Sequence, residues 1–237
     1  MDGVLVNVST SYRRAIVETV RELCGRDVTA GDVQRLKDRG GFNDDWKLTA
    51  ALIEESGARV PFEAVVDAFQ RRYRGSAHED DHGAWDGLIA TETPLVPASV
   101  LENLRSAGYV LGLVTGRPEA EAQFALRAHG WEDLFAVFVP MEAQAGRGKP
   151  DPYPLMLALE GLAALGHPLA PHEAAYVGDT GDDMVAARAA GMHAVGFVPP
   201  YLPPAHAETL RDRGAELVLH DLSDLPTALK VVIGSEP

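Results

Sequence analysis

The sequence predicts an α/β protein: a doubly wound, parallel, Rossmann-like core interrupted by an all-helical insertion. Three observations predict it. From Pro97 onward, short apolar runs alternate with helical stretches, the order in which crossover helices join parallel strands. From Ser9 to Gly75 the apolar residues recur at helical spacing and no strand-like run occurs. Between these parts the chain is polar and rich in His, Asp and Gly, then bounded by prolines, which reads as a hinge. The expected organisation is a core from 1–8 and 97–237, a helical insertion over 9–75 and a linker over 76–96.

Taken in order, the chain opens on Met1-Asp2-Gly3, and the apolar Val4, Leu5, Val6 and Val8 follow with no complete strand in front of them. Tyr12, Ile16, Val20 and Leu23 define one face of a first helix, and Phe62, Val65, Val66, Phe69 and Tyr73 one face of a last. Thr29 is a candidate N-cap for a second helix. Asn43 or Asp44 starts a third that carries Trp46, Ala50 and Ile53, after a break at Gly40-Gly41. In the second part the strands are expected at 109–114, 136–139, 174–177, 194–198 and 217–219. Gly108, Gly130, Gly166, Gly191 and Gly214 stand where helix C-caps belong.

Composition narrows the function classes. The 237 residues carry 21 Lys+Arg against 35 Asp+Glu, a net charge of −14. So acidic a surface repels phosphate backbones and anionic lipid, which argues against nucleic acid and membrane partners and requires any phosphorylated ligand to be met by a local group of cations and amides. A single cysteine, Cys24, provides no disulfide framework and sits on an apolar helical face as a core residue. No apolar run approaches the roughly 20 residues of a membrane span, and the first residues lack the pattern of a signal peptide. A cytoplasmic, soluble protein is expected.

In an open parallel sheet ligands bind beyond the carboxyl ends of the strands, so the residues following each apolar run carry the chemistry. After 109–114 come Thr115, Gly116 and Arg117; the hydroxyl and neighbouring amides can hold an anion, or Thr115 can simply cap the next helix. After 136–139 a loop presents Lys149 between glycines and prolines, as a fixed ammonium for a phosphate oxygen or as an exposed loop lysine. It is no P-loop, because Pro150 stands where Ser or Thr is required. After 174–177 come Asp179 and Asp183, four apart. Two such carboxylates read as acidic helix capping or as a pair of hard oxygen ligands for magnesium. His78 and His82, four apart among acids, read as a solvated linker before a zinc site.

Together and in this order, Met1-Asp2-Gly3-Val4, Thr115, Lys149 and Asp179/Asp183 resemble the four motifs of the haloacid dehalogenase superfamily of phosphohydrolases. The resemblance covers nearly the whole chain, with 9–75 in the place of the family's small C1-type helical cap. It implies a Mg2+-dependent phosphatase of a small phosphorylated metabolite, working through an aspartyl-phosphate. Asp2 would be the general acid/base and lend its backbone carbonyl to the metal, Thr115 and Gly116 would hold the phosphoryl group, Lys149 would offset its charge, and Asp179 with Asp183 would complete the metal site. Arg13 and Lys37, in the insertion, are candidate substrate contacts. The first aspartate of the family's opening motif, its nucleophile, would stand immediately before Met1 on the first, central strand of the core, so the natural protein is expected to begin some residues upstream. A phosphomutase, a dehalogenase, or a non-catalytic phospho-ligand-binding or interaction protein of the same fold are the alternatives.

Overall fold

A computed structural model describes residues 1–75 and 85–234, so the His78 and His82 pair lies outside the described residues. The chain divides into two compact units, Asn7–Thr93 and Met1–Val6 with Pro94–Pro237. It passes between them through two-residue strands, β1 (Val6–Asn7) and β2 (Thr93–Pro94), which pair with each other.

The helical unit holds α1 (Tyr12–Cys24), α2 (Ala30–Arg39), α3 (Asp45–Glu54) and α4 (Phe62–Tyr73). Thr29 caps α2 in a reciprocal capping box with Asp32, and Asp44 caps α3 by accepting from the amides of Trp46 and Lys47. Each cap satisfies amides that the first helical turn leaves without partners. In α3 the buried residues are Leu48, Thr49, Leu52 and Ile53, so of the expected face only Ile53 is buried. Apolar residues surround much of this helix, and packing against α1 rather than periodicity selects the face. Phe62, at the first position of α4, is likewise exposed rather than buried.

Tyr12, Phe69 and Tyr73 form an aromatic cluster, with Tyr12 and Tyr73 stacked at 4.1 Å between ring centroids. Beside it the buried Glu92 carboxylate accepts from Ser11 Oγ at 2.7 Å and from Tyr73 Oη at 3.0 Å. The described end of the segment expected as a linker is therefore packed, not solvated. Trp85 and Ile89 are buried, and Leu88–Thr91 form a 3-10 turn. These apolar side chains outweigh the polar composition around them.

The other unit runs α5 (Ala98–Ser106), β3 (Gly112–Val114), α6 (Glu119–His129), β4 (Val137–Val139), α7 (Tyr153–Ala164), β5 (Ala175–Gly178), α8 (Gly181–Ala189), β6 (His193–Phe197), α9 (His206–Asp212), β7 (Leu217–Leu219) and α10 (Leu225–Val232). All five expected apolar runs contain strands, and every pairing among them is parallel. Gly112 stands opposite Val137, Ala175 opposite His193 and Val195 opposite Leu217. The pairing forms two groups, β3-β4 and β5-β6-β7, rather than one continuous sheet.

Among the described residues, β3 pairs with β4 alone and β5 with β6 alone, which leaves one edge of each without a strand partner. A cavity of about 350 Å³ is lined by these two strands through Leu113 and Tyr176, by α5 and α7 through Leu104 and Leu159, by α10 through Leu229, and by Met1. The opening residues form a turn, in which the amides of Val4, Leu5 and Val6 all donate to the Met1 carbonyl. Val4, Leu5 and Val6 are buried.

Candidate functional site

Gly3 and Gly178 bring the polar ends of this core together. Gly3 has φ +66°, and a Cβ there would meet the Asp179 carboxylate at 1.9 Å. A Cβ on Gly178 would meet the Asp183 side chain at 2.3 Å. Only hydrogen at these two positions lets the opening turn and the end of β5 approach the two carboxylates.

Thr115, 2% exposed, follows β3, and its amide donates to the Val139 carbonyl across to β4. It does not cap α6, which starts four residues later behind Pro118. Its Oγ1 instead accepts from the Arg117 amide at 3.2 Å, and its carbonyl accepts from Gln144 Nε2 at 2.6 Å. The Arg117 side chain is fully buried, and its Nε donates to Asp2 Oδ1 at 2.6 Å while its Nη2 also pairs with that carboxylate. A buried guanidinium needs such a partner, because unpaired charge is costly away from water. Gly116 connects these residues within the same loop.

Lys149 is buried rather than an exposed loop lysine. Its Nζ donates to Asp183 Oδ1 at 2.6 Å and to Tyr176 Oη at 2.8 Å. Asp183 Oδ2 accepts from the amides of Asp179 and Thr180, at 3.1 and 3.0 Å, and from Thr180 Oγ1 at 2.8 Å. Thr180, not Asp179, is the N-cap of α8, and Asp183 closes its capping box. Capping and ion pairing thus fall on one carboxylate, while Asp179 sits ahead of the helix at the end of β5. The Asp179 carbonyl is 2.9 Å from Nε2 of the buried His206.

Burial opposes both charges of the Lys149–Asp183 pair, and their mutual attraction with the surrounding hydrogen bonds overrides it. Asp183 is held below the usual carboxylate range and Lys149 above the usual lysine range. Burial also pushes the Tyr176 phenol up to about 12, against the pull of Lys149. The Met1 backbone nitrogen lies within electrostatic reach of Asp2, Lys149, Asp183 and Asp179. Among the described residues, no group of three His, Cys, Asp or Glu side chains is gathered as a metal centre. Asp179 and Asp183 nevertheless present buried hard oxygens of the type magnesium accepts.

Within the core unit, Arg117 joins Asp2 to Thr115, Asp183 joins Lys149 to the Asp179 amide, and Gly3, next to Asp2, lies against the Asp179 carboxylate. Arg13 and Lys37 belong to the helical unit. There Arg13 is buried and its Nη2 donates to Gln34 Oε1 at 2.6 Å, while Lys37 pairs with Asp45 at 2.8 Å. Sequence reasoning missed the partnerships of Arg117, Tyr176, Thr180 and His206. Thr180 had a readable signal, a Thr followed three residues later by Asp at a helix start; Tyr176 and His206 had none.

Polar groups converging beyond the carboxyl ends of parallel strands define a ligand site of the open α/β type. Residues 1–191 match the family described as haloacid dehalogenase-like hydrolase, and the chain belongs to that family. It is 39% identical over 205 residues to a phosphoglycolate phosphatase from Nitrosospira multiformis, covering 85% of this chain and 81% of that protein. It is 36% identical over 252 residues to an imidazoleglycerol-phosphate dehydratase from Phytophthora nicotianae, covering 97% of this chain but 53% of that protein. The chain thus spans about half the length of several curated relatives it matches. A HAD family hydrolase from Deinococcus radiodurans, solved with bound phosphate and sodium, shares the fold with a TM-score of 0.71 at 21% identity, over 100% of this chain and 96% of that one. No helix among the described residues is long and apolar enough to cross a membrane.

Proposed function

We propose that this protein is a Mg2+-dependent phosphatase of a small phosphorylated metabolite. The observation that carries this reading is the convergence of Lys149 and Asp183 with Asp179, Asp2 and the loop of Thr115. Such a site offers a cation and loop donors to a phosphoryl group beside carboxylates suited to a metal. The relatives named phosphoglycolate phosphatases make phosphoglycolate the first substrate to test.

In the proposed reaction Thr115 Oγ1 and the Gly116 amide donate to the phosphoryl oxygens, and the Lys149 ammonium offsets their charge. A carboxylate on the residue immediately before Met1 attacks phosphorus in line. The P–O ester bond breaks, and Asp2 delivers the proton that the leaving alkoxide takes. Asp2 then removes a proton from the water that opens the acyl phosphate, releasing inorganic phosphate and restoring the carboxylate. Magnesium, held by Asp179, Asp183 and the Asp2 carbonyl, would supply further positive charge beside the transferring group. Arg13 and Lys37 are proposed to meet the rest of the substrate, and the cytoplasm is the proposed compartment.

The test is magnesium-dependent phosphate release from phosphoglycolate and a panel of other phosphate monoesters. It compares the 237-residue chain with a chain extended upstream, each checked for folding by circular dichroism. Release by the extended chain alone supports the reading. Folded proteins that bind magnesium and phosphate without turnover, in both forms, would instead establish a binding protein of the same fold.

A further inference from the structure

Tyr176, on β5, lies outside the roles proposed above. It is within hydrogen-bond distance of Lys149, and no motif accounts for it. Its Oη accepts from Lys149 Nζ at 2.8 Å and lies 3.5 Å from Asp183 Oδ1. Nζ is 5.3 Å from the centroid of the Tyr176 ring, out beyond the hydroxyl. An ammonium has three N–H bonds in tetrahedral array. Two of them are committed here, one to Asp183 and one to Tyr176, and two fixed directions determine the third. With Asp183 alone, only one contact would hold Nζ, and the last torsions of the lysine stem could still pivot the head about it and redirect the other donors.

We infer that Tyr176 is a positioning residue: by fixing a second N–H of Lys149 it aims the third at the phosphoryl oxygens. This inference rests on the phosphatase reading only for the identity of the anion. The stem of Lys149 is buried and carries its own rotamer freedom, so a partner that locks the head also reduces the ordering cost of binding. Phenylalanine at position 176 would preserve the ring and its contact with the cavity wall while removing the acceptor. The ammonium would lose one direction, not its charge.

The experiment compares the full chain with its Tyr176→Phe variant in magnesium-containing buffer, with inorganic phosphate as the probe. Isothermal titration reads the phosphate affinity, and a ¹H–¹⁵N spectrum of the lysine ammonium groups reads the order of Lys149. The signal is assigned by its loss in Lys149→Met. The expected result is about a tenfold weaker phosphate Kd in Y176F, the scale of one hydrogen bond to a charged group. The Lys149 signal should be sharp and slowly exchanging in the wild type and broadened in the variant. An unchanged Kd would overturn the inference, and so would weaker binding with the Lys149 signal intact. A wild type that binds no phosphate, or shows no ordered Lys149 signal, would overturn it too. Phosphate binding with the expected Y176F response, but no turnover of any monoester by the chain extended upstream, would sink the phosphatase reading and leave the role of Tyr176 standing.

Discussion

Each unit contains a lysine–aspartate pair of nearly the same length, and the two pairs show how little distance alone decides. In the core unit Lys149 and Asp183 meet at 2.6 Å with side chains 7% and 4% exposed; in the helical unit Lys37 and Asp45 meet at 2.8 Å with 13% and 15%. The difference lies in what else each carboxylate holds. Asp183 also receives two amides and a hydroxyl, so it is at once helix cap, counter-ion and candidate metal ligand. Asp45 opens α3 next to its cap, Asp44, and joins α3 to α2 through one lysine. A charge embedded in a network is more expensive to disturb than one held by a single partner.

Substitutions can test that contrast from its strongest end downward. Asp183→Ala strands the buried Lys149 ammonium and uncaps α8, so we expect a loss of about 3–5 kcal/mol, seen as a fall in Tm on the order of 10 °C. Little change in Tm would mean that water already solvates the pair. Lys149→Met leaves Asp183 its three other donors, and should lower phosphate-releasing turnover about 10²–10³-fold with a smaller stability loss, measured by steady-state kinetics beside thermal unfolding. Thr180→Ala removes a cap and one donor to Asp183, for about 1 kcal/mol by urea denaturation. Lys37→Met leaves a largely buried Asp45 oxygen without its ammonium and should cost about 1 kcal/mol, the low end for an unsatisfied buried group. A loss from Lys37→Met as large as that from Lys149→Met would erase the distinction between the units.

A pair at the surface of the core unit gives the smallest effect. Glu216 accepts from Arg188 Nη1 at 2.8 Å and lies 2.8 Å from His193 Nδ1. Burial is the largest single influence and raises its pKa, and these partners together more than offset that, holding it below its ordinary 4.5. A depressed folded-state pKa contributes stability that is complete above the unfolded value and disappears as pH falls through the folded one. Replacement by Gln should therefore lower Tm slightly at pH 7 and flatten its decline below about pH 4.5, as read by calorimetry across pH.

The same contrast explains what was legible in the sequence. Strand and helix positions followed from periodicity, and the segments bearing Thr115, Lys149, Asp179 and Asp183 followed from the rule that sites lie beyond strand ends, whereas Asp2 followed only from the family resemblance. The partners of those residues did not follow. His206 reaches the Asp179 carbonyl from 27 positions away, and Arg117 reaches Asp2 across 115, separations that no local pattern encodes. Helix α3 shows the opposite failure, since its apolar residues allow several faces and only packing against α1 chooses one. The two pairing groups of the core were equally hidden, because apolar runs announce strands but not which strands are neighbours.

The route of the chain through its two units also sets an order of assembly. Residues 1–6 are made before the helical unit, yet their own unit resumes only at Pro94, so they must wait while the whole intervening stretch is synthesised. That stretch is helical, and its contacts are comparatively close in sequence, which favours rapid folding. Once folded, its two ends are paired as β1 and β2, and a long flexible loop has become a rigid bracket. The entropy of closing the core around an insertion is then borne by the insertion's own folding, and the opening turn meets its late-made partners over a short effective tether.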